Sequence, residues 1–341
     1  MKQWIIRSGS RDDTSLHLVN DAKIPTPGPR EVLVRIKATS LNYRDELVLN
    51  GSYYGPLDQD IVPLSDGAGI VEAVGRDIKR FKVGDRVASQ YYENWLDGNY
   101  DDEDKIGPPV GGPRQRGVLA EYVLLAENGT MPIPDNMSYE GAAALPVAGA
   151  TAWNALFAHN PIRANDTVLV LGTGGVSMMA LQMAKIVGAR VIATSSRPEK
   201  MQRAKELGAD EAINYNTEPE WGQIVRKLTG GAGVDKIIEV GGDGTLEQSM
   251  QAIAFDGEIA LVGFLAASVK PPSAFRAIYR ATKLRGIALG NARMFAAMTA
   301  LFEHAGVAPV VDRVFPFADV VEAYRHKRSE NMFGKVVIGV N

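Results

Sequence analysis

The residues with the clearest chemistry are Gly172-Thr-Gly174-Gly175-Val176-Ser177. They follow the short apolar run Thr167–Gly172 and open a segment whose apolar residues fall at helical spacing: Val176, Met179, Ala180, Met183 and Val187. A glycine turn between a strand and a helix is a phosphate-binding device. Gly172 permits the tight turn, and Gly174 lets the backbone approach a pyrophosphate. The helix N-terminus offers amide hydrogens and a positive dipole. Ser177 takes the third position of GxGxxG, where a small residue serves helix–strand packing. A dinucleotide site is the expectation.

The end of the next strand, Arg190–Ser195, selects the dinucleotide. NAD sites usually place a carboxylate there for the ribose hydroxyls. This chain has Thr194, Ser195, Ser196 and Arg197, then Lys200, and its first carboxylate is Glu199. Hydroxyls and two cations suit a 2′-phosphate through charge-assisted hydrogen bonds. NADP(H) is the preferred cofactor, with NAD(H) or dual use as the alternative.

Other chemistries are excluded by what is missing. The 341 residues include no cysteine, which removes disulfides, thiolate nucleophiles, iron–sulfur ligation and cysteine-built zinc sites. The four histidines, His17, His159, His304 and His326, form no close pair. Asp97-Gly-Asn-Tyr-Asp101 has the start of a calcium loop, but the sixth residue is Asp102 and the twelfth Pro108, so calcium is rejected. Thirty-seven basic against forty acidic residues give a net charge of −3, with no footprint for nucleic acid or anionic membranes. The longest uncharged run, Gly141 to Ala158, is rich in alanine and glycine and reads as a buried helix or loop, not a membrane span. The N-terminus has no signal-peptide core, and the reading is a soluble, cytoplasmic protein.

The elements that must position these residues divide into two kinds. From Asp166 onward, apolar strands alternate with helices. The strands are Thr167–Gly172, Arg190–Ser195, Ala212–Tyr215, Lys236–Val240, Glu258–Phe264 and Leu284–Leu289. The helices are Val176–Gly188, Pro198–Gly208, Trp221–Leu228 and Gly244–Ala254. Continuous apolar strands alternating with helices specify α/β architecture with a doubly wound parallel sheet. The earlier part is β-rich, with strands expected at Glu31–Ala38, Gly69–Val74, Phe81–Ala88 (turning at Gly84-Asp85) and Val118–Leu125. Tyr91 to Arg116 lacks an apolar period and reads as a solvated loop. In the tail, Ala292–Ala305 and Asp319–His326 read as helices and Lys335–Gly339 as a closing strand.

With these elements placed, the chain resembles the medium-chain dehydrogenase/reductase superfamily over nearly its full length. The marks are Gly67-Ala-Gly69-Ile-Val-Glu-Ala-Val-Gly75, Phe81-Lys-Val-Gly-Asp85-Arg-Val87, Gly117-Val-Leu-Ala-Glu121-Tyr122 and Ala143-Ala-Leu-Pro-Val-Ala-Gly149-Ala-Thr151-Ala-Trp153. The glycine turn and Gly334-Lys335-Val-Val complete them. The resemblance implies a GroES-like catalytic domain from residues 1–150 and 292–341, with a Rossmann domain, 151–291, inserted in it. It also implies a homodimer paired through the Leu284–Leu289 edge strand.

Zinc members of the superfamily carry a cysteine where this chain has Asn42 or Tyr43, a His-Glu pair near Ser65-Asp66, and a four-cysteine lobe where this chain has its acidic loop. The resemblance is therefore to the zinc-free branch, similar to quinone oxidoreductases and enone reductases, and no metal is expected. That branch implies catalytic roles for Asn42, near the nicotinamide, and for Tyr53, which positions or protonates substrate. Asp66 is added because it stands at a zinc-ligand position. Cofactor contacts carry over to Thr151, Lys200, Tyr215, Gly241, Gly263, Phe264 and Phe333, beside the turn residues Gly172–Ser177 and Ser195–Arg197. Arg44 and Asp45 read as a local ion pair, Tyr43 as a core residue, and the Met178, Met179 and Met183 group as sheet-packing core. Segments 42–54, 91–95 and 264–275 are the candidate pocket walls.

Without a Lewis acid, the favoured substrates are quinones and α,β-unsaturated carbonyls, whose developing charge delocalises onto a conjugated oxygen that hydrogen-bond donors can hold. The leading expectation is an NADPH-dependent reductase of such compounds. The alternatives are a zinc-free alcohol or aldehyde dehydrogenase, and a non-catalytic NADPH-binding sensor or structural protein.

Overall fold

The computed structural model describes residues 1–9, 11–55, 57–266 and 274–340. The chain divides into two compact units, Met1–Ala150 with Gly290–Asn341, and Thr151–Leu289. In chain order the first unit opens with strands β1 (Gln3–Ile6), β2 (Leu16–Val19), β3 (Glu31–Ser40), β4 (Asp66–Val74), β5 (Arg86–Ser89), β6 (Tyr122–Ala126) and β7 (Thr130–Pro132). The second unit supplies β8 (Thr167–Val170), β9 (Arg190–Ser195), β10 (Glu211–Asn214), β11 (Val234–Glu239), β12 (Ile253–Leu261) and β13 (Lys283–Gly286). The chain returns to the first unit for β14 (Val311–Pro316) and β15 (Lys335–Gly339).

The second unit is a six-stranded sheet in the order β10-β9-β8-β11-β12-β13, and every pairing is parallel. This is the doubly wound Rossmann arrangement, whose order reverses between β8 and β11 and leaves its binding crevice at the carboxyl ends of the strands. The apolar runs are buried because helices cover both faces: Leu169, Ile192, Ile237 and Ile259 are inaccessible to solvent. Met178, Met179 and Met183 lie in this packing, on the helix Gly175–Ile186.

The first unit is the GroES-like part. Its seven-stranded sheet runs β14-β15-β3-β4-β5-β7, with β6 added against β3. The pairing of β15 with β3 sets Val337 opposite Ser40 and so carries residue 335 to the beginning of the helix Tyr43–Leu49. The core includes Ile36, Val71, Val87, Leu119 and Ile338.

Several expectations are corrected. The strand read at Val118–Leu125 runs Tyr122–Ala126, because the amides of Gly117, Val118 and Leu119 bond instead to the Val62, Leu64 and Pro63 carbonyls and Ala120 bridges to Gln3. The strand read at Glu258–Phe264 begins at Ile253 and ends at Leu261, and the last parallel strand ends at Gly286. Residues 91 to 116 are not a solvated loop throughout: Tyr91, Tyr92, Trp95, Ile106 and Val110 are buried. An edge-on aromatic cluster of Tyr92, Trp95 and Tyr100 anchors the segment. Its carbonyls at Trp95 and Leu96 accept hydrogen bonds from Ala292 and Arg293. Fixed contacts satisfy this backbone without any periodic pattern. Tyr43, read as core, is exposed. Among the described residues no helix is long and apolar enough to cross a membrane.

Candidate active-site residues in the two units

In the second unit, β8 runs into Gly172, whose φ of +68° lies in the left-handed region that favours glycine. Its amide donates to the Thr194 hydroxyl at 3.2 Å, tying the turn to the end of β9. Gly174 is the N-cap of the helix Gly175–Ile186 and has no side chain with which to cap it. A Cβ built at Gly174 meets no heavy atom within 4 Å, so the glycine leaves open space over the helix N-terminus. The amides of Gly175 and Val176 begin that helix. Ser177 is buried, and its hydroxyl is spent on the Leu171 carbonyl at 2.6 Å; it fastens helix to strand, the packing role its position predicts.

At the end of β9, Ser195 is buried and its hydroxyl has no hydrogen-bond partner among the described residues. A buried polar atom left unpaired costs about 1–3 kcal/mol, so it implies a group from outside the chain. Ser196 accepts from the Asn216 side chain through its carbonyl, and Tyr215, half-exposed, donates its amide to the Ser195 carbonyl at 3.0 Å. Arg197 is the N-cap of the helix Pro198–Glu206, and Lys200 lies in its first turn. Two cations there oppose the helix dipole, a placement that an incoming phosphate reverses. These residues fit a dinucleotide, whose pyrophosphate the turn would hold.

At the neighbouring strand ends, Gly241 donates its amide to Glu239 Oε1 at 2.8 Å. Glu239 is fully buried and also accepts from the Gly242 amide, Thr245 and Ser249. One carboxylate therefore shapes the turn that carries Gly241, a role no sequence pattern signalled. Gly263 packs against the Val240 carbonyl, and Phe264 is exposed. Thr151 is buried on the short helix Ala150–Trp153. Of the candidate wall 264–275, residues 267–273 lie outside the described residues.

In the first unit, Asn42 is the N-cap of the helix Tyr43–Leu49, and its backbone amide donates to Asp45 Oδ2 at 2.8 Å. Asn42 is 7% exposed. Its Oδ1 accepts a hydrogen bond from Lys335 Nζ at 2.5 Å, and its Nδ2 has no partner among the described residues. Asp66, expected to be catalytic, is 0% exposed. It accepts from Ser65 Oγ at 2.7 Å and from the Val147 amide at 3.2 Å, and Lys335 Nζ lies 3.5 Å from it. Enclosure on these terms makes it a support for Lys335, not a group that meets substrate. Lys335 itself was legible as part of a motif but not as a site residue. Burial pushes its ammonium below the ordinary lysine range, and Asp66 and Asp45 act against that.

Arg44 and Asp45 form the expected ion pair, at 3.0 Å and buried. Burial raises the Asp45 carboxyl, and Arg44 opposes the rise. Arg44 also donates to the Gly111 carbonyl at 2.9 Å, and its guanidinium lies 5.5 Å from the ring centres of Tyr53 and Tyr91. Tyr53 packs edge-on to Tyr54 at 4.6 Å and is 41% exposed. Phe333, expected at the nicotinamide end, is buried at the left-handed Gly334 turn.

The donor set at Asn42, Ser65 and Asp66 does not fit zinc. It offers one amide oxygen, one hydroxyl and one carboxylate, and a lysine ammonium already sits on the amide oxygen and beside the carboxylate. Zinc sites are built from thiolate, imidazole and carboxylate ligands. Among the described residues no group of three or more His, Cys, Asp or Glu could hold a metal ion.

Comparison with known proteins finds two family matches. Residues 28–135 match the alcohol dehydrogenase GroES-like domain, and residues 175–304 match the zinc-binding dehydrogenase domain. A zinc-type alcohol dehydrogenase-like protein of Schizosaccharomyces pombe is 43% identical over 319 residues, covering 92% of each chain. A 2-methylene-furan-3-one reductase of Solanum lycopersicum is 31% identical over 99% of this chain and 79% of its own. The quinone oxidoreductase of Rattus norvegicus is 28% identical over 95% of this chain and 93% of its own. Among solved structures, an alcohol dehydrogenase from Sinorhizobium meliloti 1021, itself described as putative, superposes with a TM-score of 0.88 at 38% identity, both chains covered in full. Mycobacterial Rv1454c, solved in complex with NADPH, gives 0.80 at 28% identity, again with full coverage of both.

Proposed function

The chain belongs to the medium-chain dehydrogenase/reductase superfamily, and from that premise we propose that it is a zinc-independent, NADP(H)-dependent reductase of quinones or α,β-unsaturated carbonyls. The observation that carries this reading is the buried Asn42 amide, whose Nδ2 is unpartnered among the described residues. A fixed N–H donor can hold the oxygen of a conjugated acceptor as charge develops on it, at a typical worth of about 10²–10³ in rate. It cannot do the work of a Lewis acid on a simple alcohol.

When bound, NADPH supplies the hydride. The chain's own residues do the rest. The amides and dipole at Gly174–Val176 hold the pyrophosphate. Ser195, Arg197 and Lys200 select the 2′-phosphate. Asn42 donates to the acceptor oxygen, and Tyr53 orients the acceptor or delivers the proton. The names of the tomato and rat relatives, a furanone reductase and a quinone oxidoreductase, support the substrate class. The NADPH complex of the mycobacterial structure supports the cofactor.

A second reading, a zinc-free alcohol or aldehyde dehydrogenase, is favoured by the alcohol dehydrogenase names among the relatives. Absorbance of NADPH over a panel of quinones, enones and saturated aldehydes separates the two, each run repeated with NADH. We expect turnover of quinones or enones, at least tenfold better with NADPH, unchanged after dialysis against a chelator. Turnover of aldehydes alone would select the second reading; loss of activity on chelation would refute zinc independence. NADPH binding with no turnover across the panel would select a sensor.

We further propose that two copies pair at the outer edge of β13, the last strand of its sheet. An unpaired edge is a liability unless covered. Phe255, Phe275, Ile278, Tyr279 and Leu284 are all exposed on the elements around it, more apolar surface than scattered chance explains. Light scattering is expected to give twice the chain mass, and Ile278→Asp to halve it. A wild-type monomer at tens of micromolar would contradict the pairing.

A further inference from the structure

We propose that Lys335 is a positioning residue: its buried ammonium fixes the Asn42 side chain in the one orientation that presents Nδ2 as a donor. The inference rests on the reading that Asn42 holds the acceptor oxygen, and it extends that reading to a residue which meets neither substrate nor cofactor.

The argument begins with what an ammonium can do. It carries three N–H donors and no acceptor. Lys335 is 2% exposed, and its Nζ lies 2.8 Å from the Leu41 carbonyl, 2.5 Å from Asn42 Oδ1 and 3.5 Å from Asp66 Oδ2. Three donors meet three oxygens. The face of the Asn42 amide toward Lys335 must therefore be its oxygen, and the opposite face must be the NH2 group. A neutral or hydroxyl-bearing neighbour would not impose that choice, because an amide can turn over and exchange the two ends.

The other end of the residue is also held. The Asn42 backbone amide is pinned to Asp45 at 2.8 Å, and Asp45 to Arg44 at 3.0 Å. The side chain thus spans two fixed points with its NH2 group as the unsatisfied remainder. Burying a lysine carries a several-kcal/mol desolvation penalty, and an apolar residue would pack a strand interior at lower cost. Its retention among Val336, Val337 and Ile338 calls for a task that packing does not supply. Orienting a donor that would otherwise be free to flip is such a task.

The test uses Lys335→Met, Asn42→Ala, Asn42→Asp and the double variant Lys335→Met/Asn42→Ala. Three readouts are followed: kcat on the best quinone or enone, KM for NADPH, and the Asn42 side-chain amide resonances in 15N-labelled protein, assigned by their loss in Asn42→Ala. We expect Lys335→Met to lower kcat at least about tenfold, with KM for NADPH within about threefold, and to turn the Asn42 amide from one sharp, slowly exchanging pair into a broadened or doubled one. The double variant should be no slower than Asn42→Ala alone, since the two residues act as one device. Asn42→Asp keeps an oxygen for Lys335 but loses the donor, so it should match Asn42→Ala in kcat while remaining folded. Additive losses in the double variant, or an Asn42 resonance unaltered in Lys335→Met, would overturn the proposal. If Lys335→Met fails to fold, Lys335→Met/Asp66→Asn removes both buried charges and is read in the same way. If the wild type turns over nothing in the panel, the functional reading fails, yet the resonance still decides whether Lys335 orients Asn42.

Discussion

Replacing Gly174 with valine is expected to weaken NADPH binding at least about 100-fold while costing the free protein about 1 kcal/mol. The two effects separate because of where the space lies. Gly174 has φ −79° and ψ −179°, extended backbone that any residue adopts. A Cβ there meets no protein atom within 4 Å. The free protein accepts the side chain, losing only the difference between glycine and valine at a helix N-cap. The pyrophosphate does not accept it, because the branched side chain stands where the phosphate must approach the amides. Gly172 gives the opposite result. Its φ of +68° makes alanine strained by roughly 1–2 kcal/mol, although no atom lies within 4 Å of the added carbon. Gly172→Ala should therefore lower the melting temperature more than it lowers affinity. Fluorescence titration with NADPH beside thermal unfolding reads both quantities. Unimpaired binding by Gly174→Val would mean the cofactor does not pass over this helix.

The parts of the molecule legible in the sequence are those whose cause is local. β8, the glycine turn and the following helix are written in consecutive residues, so the apolar run, the left-handed Gly172 and the open Gly174 all stand where the spacing puts them. The same holds for the helices at Trp221–Leu228 and Ala292–Ala305, whose bounds coincide with the sequence reading. β1, β2 and β14 were not legible. Each has a mixed composition, and each is made by pairing, Gln3 with Val19 and Val311 with Lys335, that no local pattern announces. The segment from Tyr91 is illegible for a related reason: its aromatic residues pack on one another and its backbone bonds to residues 292 and 293, with no period.

The site divides along the same line. Asn42 and Tyr53 could be singled out by resemblance, and Arg44–Asp45 by adjacency. Lys335 could not, because its task exists only once β15 pairs with β3 and brings it 293 residues back to Asn42. Asp66 reads as a reacting group from its place in the motif alone. Its enclosure by Ser65, Val147 and Lys335 is a tertiary fact.

The second large effect lies at another set of charges hidden in apolar strands. Lys236, Glu258 and Arg285 sit on β11, β12 and β13, inside runs that read as continuous core. Glu258 is buried between the two cations, with its Oε1 3.0 Å from Arg285 Nε and 3.4 Å from Lys236 Nζ. The cations in turn serve carbonyls of a helical segment and the residues that follow it. Lys236 donates to His159 at 3.1 Å and Asn160 at 2.8 Å, while Arg285 donates to the Asn154 carbonyl at 2.8 Å. These bonds tie β11 and β13 to residues 154–160. Glu258→Ala is therefore expected to cost about 3–5 kcal/mol in urea unfolding, the penalty for leaving buried charge uncompensated. Glu258→Gln should cost less, since it keeps an acceptor of the same shape. The loss also has a pH signature. Burial already holds the Lys236 ammonium below its ordinary value, with Glu258 opposing. Without Glu258 it falls further, so the folded state binds fewer protons than the unfolded chain, and stability rises with pH. The deficit of Glu258→Ala should thus shrink as the pH climbs from 7 toward about 10. A deficit below about 1 kcal/mol at pH 7, or one that does not change with pH, would mean that water reaches these strands and that the three charges are a solvated cluster.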